Sequence, residues 1–348
     1  MKTSSGNFFE DFKLDQKIVH ATPRTVTEGD VSLYSALYGT RFAVQSADSF
    51  AKAIGYARAP IDDLLVFHTV FGKTVPDISL NAVANLGYAD CRFLLPVYPG
   101  DTLSAVSEVI GLRENANKTS GIVYVRSTGF NQHGMEVLSY VRWVMVRKRD
   151  NNAPAPVAVA PKLPVEVSPE KLGAALPAID VSKYDFTLAG SAHRFGDYKA
   201  GEKIDHVDGM TVEDAEQQIA TRLYQNTAKV HFNNFAQKSD RFGKRLIYGC
   251  VVISLARALS FNGLANAFHV AAINGGRHVA PMFAGDTVFA WSEVLDAKEL
   301  PGRKDVAALR LRTVATKDKP CADFPYKNGD EYAEGVILDL DYWVLIPR

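Results

Sequence analysis

The sequence predicts an α+β protein made of two copies of one unit, each an antiparallel sheet wrapped around a central helix. Three observations lead there. The second half of the chain repeats the first at a nearly fixed offset. Each repeat contains one long apolar run of helix-forming character. Each of those runs is followed by several runs rich in Val, Leu, Tyr and Trp with partly alternating polarity, the pattern of strands. One apolar helix followed by antiparallel strands buries itself by letting the sheet curl around it.

The repeat is readable residue by residue. The slide that carries Phe9 onto Phe195 also carries Asp11 onto Asp197, Lys13 onto Lys199, Lys17 onto Lys203, Ile18 onto Ile204 and His20 onto His206. It goes on to carry Thr25-Val26 onto Thr211-Val212, Leu37-Tyr38 onto Leu223-Tyr224, Val44 onto Val230 and Ile61 onto Ile247. The offset then shortens by one residue. Gly100-Asp101-Thr102 falls on Gly285-Asp286-Thr287, and Ser107-Glu108-Val109 on Ser292-Glu293-Val294. Near the ends, Trp143 falls on Trp343. A register held over that distance indicates a fused duplication. A chain of 348 residues is long enough for two domains with a core each. The expected organisation is an N-terminal domain over 1–150, a linker over 151–178 and a C-terminal domain over 179–348. The linker holds six of the chain's 16 prolines, which favours an extended strap crossing a domain face.

Within each copy the elements come in the same order. An extended leading segment (FFEDFKLDQKIV, then RFGDYKAGEKID) is first. Helix-start signals follow. Thr27 precedes Asp30 and Thr211 precedes Asp214, each a Thr with an acid three residues on, as in a capping box. Central helices are expected over Asp62–Val75 and Tyr248–Phe261, with Asp62-Asp63 reading as a cap for the first. Strands are expected at DTLSAVSEVIGL, GIVYVRSTGF and VLSYVRWVMVRKR, and at DTVFAWSEVL, VAALRLRTVAT and GVILDLDYWVLI. The run from Lys319 to Gly335 has no counterpart in the first copy. It reads as a surface loop that could cover a ligand channel.

Composition narrows the function. The 39 basic and 39 acidic residues balance, so no electrostatic footprint for nucleic acid is expected. No apolar run approaches the roughly 18 residues that span a bilayer. The N-terminus MKTSSGNFFEDFKLD has no apolar core of a secretory signal. Three widely spaced cysteines, Cys91, Cys250 and Cys321, argue against a disulfide framework and for a cytoplasmic protein. No His, Cys and Asp spacing matches a metal site.

The order of elements, with particular residues, resembles the MaoC-like family of hot-dog-fold (R)-specific enoyl-CoA hydratases. Arg92-Phe93-Leu94-Leu95-Pro96-Val97-Tyr98-Pro99-Gly100-Asp101-Thr102-Leu103 matches a strand phrase of that family, and Arg277 to Thr287 is its second copy. The family's catalytic motif places an Asp five residues before a His. The first copy reads Gly39-Thr40-Arg41-Phe42-Ala43-Val44-Gln45, with both positions replaced. The second reads Gln225-Asn226-Thr227-Ala228-Lys229-Val230-His231, with the His kept and Asn226 in place of the Asp. The glycine that opens the family's central helix is Gly249, and the first copy holds Asp63 there. The resemblance therefore implies a tandem (double) hot-dog fold with chemistry in the second unit and an acyl pocket shaped by the first. The phrases NFFEDF and APIDDLLVFHTVFGKTVPDISLNAVANLGYADCRF resemble the branch that hydrates mesaconyl-CoA, a branched dicarboxylic enoyl thioester.

The residues suit that chemistry. Hydrating an α,β-unsaturated thioester requires a base for the attacking water, an acid for Cα and donors for the enolate oxygen. His231 can act as base and then acid. The backbone N–H of Gly249, at a helix N-terminus, can hold the developing oxyanion. Asn226 can orient water but cannot take a proton. A protein carboxylate there would repel a dicarboxylic acyl group, which makes Asn226 an expected adaptation to one. Arg41, Arg92 and Arg277 are the expected partners of the substrate carboxylate, since arginine pairs bidentately with it. Asp62, Asp63 or Asp90 could complete the dyad, and Asp63 is expected at the substrate. His20, His206, His68, His269 and His278 read as structural or pocket-wall residues. No cofactor is expected, coenzyme A being part of the substrate, and a homodimer is the expected partner state. Competing readings are a hydratase of another enoyl-CoA, a thioesterase using Asp62-Asp63 and a non-catalytic acyl-CoA-binding module.

Overall fold

The computed structural model describes residues 2–173 and 176–348. The first half runs β1 (Lys17–Thr25), α1 (Glu28–Tyr38), α2 (Asp63–Thr74), β2 (Ala82–Phe93), β3 (Thr102–Glu114), β4 (Ser120–Phe130) and β5 (Glu136–Arg147). The second half repeats it as β6 (Lys203–Thr211), α3 (Asp214–Leu223), α4 (Gly249–Leu259), β7 (His269–His278), β8 (Thr287–Glu299) and β9 (Val306–Lys317). A small hairpin, β10 (Lys327–Asn328) with β11 (Glu331–Tyr332), precedes the last long strand, β12 (Val336–Pro347). All strands outside the hairpin form one antiparallel sheet in the order β1-β3-β4-β5-β2-β7-β12-β9-β8-β6. The central helices α2 and α4 lie on its inner face. Both are buried along nearly their whole length, which is why their sequences are apolar all round.

The duplication appears in space as a pseudo-twofold axis between the halves. A residue on such an axis must meet its own repeat equivalent. Tyr224 donates its hydroxyl to Tyr38 at 2.8 Å, and His68 Nε2 meets Ser254 Oγ at 2.8 Å; each pair is related by the repeat offset. The seam strands obey the same rule. Tyr88 pairs with Gly276 and Cys91 with Ile273, and the repeat exchanges those two pairs. Under this symmetry the C-terminal end of α2 lies beside the N-terminus of α4, with Phe71 and Tyr248 ring centroids 6.1 Å apart.

Three local features differ from the expectations. The cap of α3 is Glu213 rather than Thr211. Glu213 is the repeat equivalent of Thr27, and its box closes with Glu216. Thr211 instead ends β6, its hydroxyl on Thr287 as Thr25 is on Thr102. The seam strands β2 and β7 are strands that no alternation announced, because bulges along β2 shift its register repeatedly. The 319–335 segment packs on the outer face of the second half-sheet, around buried Trp291, whose Nε1 donates to Pro325 O at 2.9 Å. Tyr326 and Tyr332 both donate to Asp339 there.

The Pro-rich stretch runs extended. Val159 bridges Leu112 on β3, and Val167 N donates to Asn274 Oδ1 on β7 at 2.8 Å. It covers the outer face of β12 at Trp343 and Leu345. His20 and His206 are structural: each ties its strand to a serine, Ser107 or Ser292, on the neighbouring one.

Candidate active site

The segment before α4 is built around His231. Leu246 N donates to Val230 O at 3.0 Å, which lays the two chain segments side by side. Buried Gln217 of α3 donates its amide to His231 O at 2.6 Å and fixes the residue from the other side. The His231 side chain then reaches Leu246 O with Nδ1, at 3.0 Å. A carbonyl only accepts, so Nδ1 carries the hydrogen and Nε2 is the free base. Burial pushes the His231 pKa down to about 4, opposed by that carbonyl. The ring stays neutral at ordinary pH.

Next to it, α4 begins without a side-chain cap. Tyr248 is the N-cap and contributes no side-chain bond to the first turn. The first-turn amides of Gly249 and Cys250 are therefore left with the positive end of the helix dipole. The Tyr248 ring stands 5.0 Å from the His231 ring, and its buried hydroxyl has no partner. Glycine lets the His278 ring stand directly against the helix start: a Cβ on Gly249 would lie 2.5 Å from Cε1 and Nε2 of His278. His278 Nε2 meets the Tyr88 hydroxyl of the first half at 3.1 Å. Burial and then the nearby His231 push the His278 pKa down to about 4. His231, Gly249, Tyr248, His278 and Tyr88 thus converge from two halves. A groove of about 650 Å3 at the seam of β2 and β7 reaches Tyr88 and His278, with Arg277 and Arg312 also on its walls.

The equivalent place in the first half is closed. Asp62 caps α2 by accepting from Leu64 N at 2.9 Å. Asp63, standing where Gly249 stands, accepts from Val270 N at 2.8 Å and pairs with His269 Nδ1 at 2.9 Å. Gln45, standing where His231 stands, donates to Phe268 O at 2.7 Å. Phe93 replaces His278. Asp63 is therefore built into the first-half helix terminus rather than beside His231.

The other sequence candidates are dispersed. Asn226 is buried, and its Oδ1 accepts from Ala228 N at 2.8 Å, shaping the loop that leads to His231. Arg41 is exposed and stacks 4.5 Å over Phe261, past the C-terminal end of α4. Arg92 is held near Asp90, at 3.4 Å, and Asp90 also pairs with Arg126 at 3.0 Å. Arg277 is exposed on the groove wall, 5.6 Å from the Tyr332 ring. Tyr88 and Tyr248 were absent from the sequence-derived site, and His278 was read there only as a packing or pocket-wall residue. One signal could have found His278: the two copies differ there, Phe93 against His278, as they differ at Gln45 against His231.

The chain is similar over its length to known proteins. A family model described as mesaconyl-CoA hydratase matches residues 2–328. A β-methylmalyl-CoA dehydratase of Chloroflexus aurantiacus is 61% identical over 348 residues, covering 100% of this chain and 99% of the relative. A mesaconyl-CoA hydratase of Cereibacter sphaeroides is 59% identical over 351 residues, covering 100% of each. The crystal structure of a putative MaoC domain protein dehydratase from Chloroflexus aurantiacus superposes with a TM-score of 0.98 at 61% identity, covering 100% of this chain and 99% of that one. A Mycobacterium tuberculosis protein described as a double hot-dog fold superposes with a TM-score of 0.74 at 23% identity, with 99% of each chain covered, and supports the fold alone.

Proposed function

This chain belongs to the mesaconyl-CoA hydratase family, and we propose that it is a hydro-lyase that reversibly adds water to mesaconyl-CoA to give β-methylmalyl-CoA. The observation that carries the reading is the uncapped, glycine-opened N-terminus of α4 with a neutral histidine beside it. The names of the close relatives support the same reaction.

The mechanism follows from the atoms. The thioester oxygen accepts from the Gly249 N–H, where the helix terminus favours the enolate charge. His231 Nε2 takes a proton as water adds to Cβ, and the C=C electrons move onto the thioester. The resulting imidazolium returns its proton to Cα, so that water is added across the double bond on one face. Dehydration is the reverse. His278, held by Tyr88, stands against Gly249 at the same helix terminus. Asn226 sets the loop that delivers His231. In this proposal the second half carries the chemistry and the first half supplies Tyr88 and acyl-pocket walls. No cofactor is required beyond the coenzyme A of the substrate.

A homodimer and a cytoplasmic location remain part of the proposal. No helix among the described residues is long and apolar enough to cross a membrane, and Cys91, Cys250 and Cys321 are free and buried. The thioesterase reading is disfavoured by Asp63, whose carboxylate is engaged by Val270 N and His269.

The test is mass spectrometry of mesaconyl-C1-CoA and crotonyl-CoA after incubation with the protein, beside a free-thiol assay. Gain of one water mainly on mesaconyl-CoA, without thiol, is expected. Thiol release without hydration would overturn the proposal.

A further inference from the structure

Three buried cations, Lys73, Arg142 and Arg257, have no carboxylate within ion-pair distance among the described residues, and Arg142 is the one that stands across the strands from Tyr88. Arg142 projects inward from β5 and has no exposed surface. Its guanidinium cannot deprotonate in a folded protein. Its Nη2 donates to Thr74 Oγ1 at 2.8 Å, and Nη1 to Ser79 Oγ at 3.3 Å. Its Nε has no partner. Among the described residues no carboxylate stands within ion-pair distance of it. Lys148, also buried, is by contrast paired with Glu114 at 2.7 Å. An unpaired buried charge is strongly destabilising, so a protein that keeps one has a use for it.

Its position says what the use is. Arg142 is the cross-strand neighbour of Tyr88, whose hydroxyl holds His278. Its Cζ lies 4.2 Å from the Phe71 ring centroid, and that ring adjoins Tyr248, the residue before Gly249. The match of Trp143 with Trp343 makes Tyr342 the equivalent of Arg142. Tyr342 is neutral, bonds Thr313 at 2.9 Å and pairs with Ile273 on the closed side. The closed side has its own buried arginine, Arg257 of α4 at the position equivalent to Phe71, but its guanidinium is held by Ser260 Oγ and Ala267 O, whereas Arg142 leaves its Nε unpartnered on the side of the open helix terminus.

We infer that Arg142, packed beside the rings of Phe71, Tyr88 and Tyr248, is the specificity-determining cation that receives the free carboxylate of the acyl group. The inference rests on the proposed hydratase reaction and deepens it. A thioester held at Gly249 directs its acyl tail toward these rings, and the orphaned Nε supplies a donor for the carboxylate. Arg41, Arg92 and Arg277 do not meet these conditions: two are exposed, and the third lies beside Asp90.

The experiment compares wild type with Arg142→Gln on mesaconyl-C1-CoA and on tiglyl-CoA, in which a methyl group replaces the carboxylate. The expected result is a fall of about 100-fold or more in kcat/KM for mesaconyl-CoA, with tiglyl-CoA hydration unchanged or improved. Equal losses on both substrates would show that Arg142 only locks the end of α2 through Thr74 and Ser79, and would overturn the inference. A wild type that prefers tiglyl-CoA would instead overturn the substrate reading. Should the glutamine variant not fold, inhibition of the wild type decides. Methylsuccinyl-CoA is expected to compete at least about tenfold more tightly than 2-methylbutyryl-CoA, and equal competition would overturn the assignment.

Discussion

At the scale of single residues, the reactive nitrogen of His231 is determined by one carbonyl. Leu246 O fixes the tautomer, and burial keeps the ring neutral down to about pH 4. A histidine base of ordinary pKa would give kcat/KM for hydration an acid limb near 6.5. Here the protonated, inactive form accumulates only as pH falls through about 4. The profile is therefore expected to stay flat from neutral pH down to about 5, measured with activity recovery at pH 7 as the control for unfolding. A limb at 6 to 7 would contradict it. Asn226 gives a second expectation. Its Oδ1 already holds Ala228 N, so Asn226→Asp keeps the loop but adds a charge near a dicarboxylic substrate. Mesaconyl-CoA hydration should fall about tenfold or more; full activity would remove the charge argument. His231, Gly249 and Asn226 were legible in the sequence because they sit in a recognisable motif. Arg142 and Tyr88 were not. Their importance lies in what surrounds them, and a lone Arg among strand residues reads as an outward-facing one.

At the scale of elements, the two central helices have the same length class and apolar character, yet their N-termini have opposite fates. One is capped by Asp62 and filled by Asp63; the other is left open at Gly249. The sequence carried this contrast, since aligned copies place Asp63 against Gly249. It did not carry the seam strands, whose bulges hide the alternation that marks a half-buried strand. The close approach of α2 to the His231 loop was equally invisible. A Cβ on Gly72 would lie 1.7 Å from Tyr224 O. Because a backbone atom stands in the way, Gly72→Ala must push α2 off the loop. It should destabilise the fold by about 1–3 kcal/mol in chemical denaturation and lower hydratase activity. A variant of wild-type stability would contradict the packing described.

At the scale of the whole molecule, duplication followed by divergence explains why one chain holds one open site and one closed counterpart. The halves pair through β2 and β7 as two copies of a single unit would, and the open site draws on both. The fold carries several neutral histidines, His68 and His206 buried and His231 and His278 partly buried: His206, His231 and His278 are pushed down to about 4, and His68 to about 3. Burial is the leading cause in each. The unfolded chain binds protons at these groups from about 6.5 downward, while the folded chain does not until about 4. Their contribution to stability is therefore present above 6.5 and lost as pH falls through that window. Asp62, pushed up to about 6 by burial and Asp63, works in the opposite sense, but it is one group against four. Tm should drop between pH 7.5 and pH 5; a flat or rising Tm would refute the burial of neutral imidazoles. The repeat, the helix-then-strands order and the Pro-rich strap made this architecture readable from sequence. The pseudo-twofold contacts that make it a working site had to be seen in three dimensions.

The central claim is that water is added at the open terminus of α4 by His231. The direct test follows mesaconyl-C1-CoA in oxygen-18 water with wild-type protein and His231→Ala. The account predicts labelled β-methylmalyl-CoA from the wild type and a rate lower by about 100- to 10,000-fold in the variant. Equal rates of label uptake by the two proteins would contradict it.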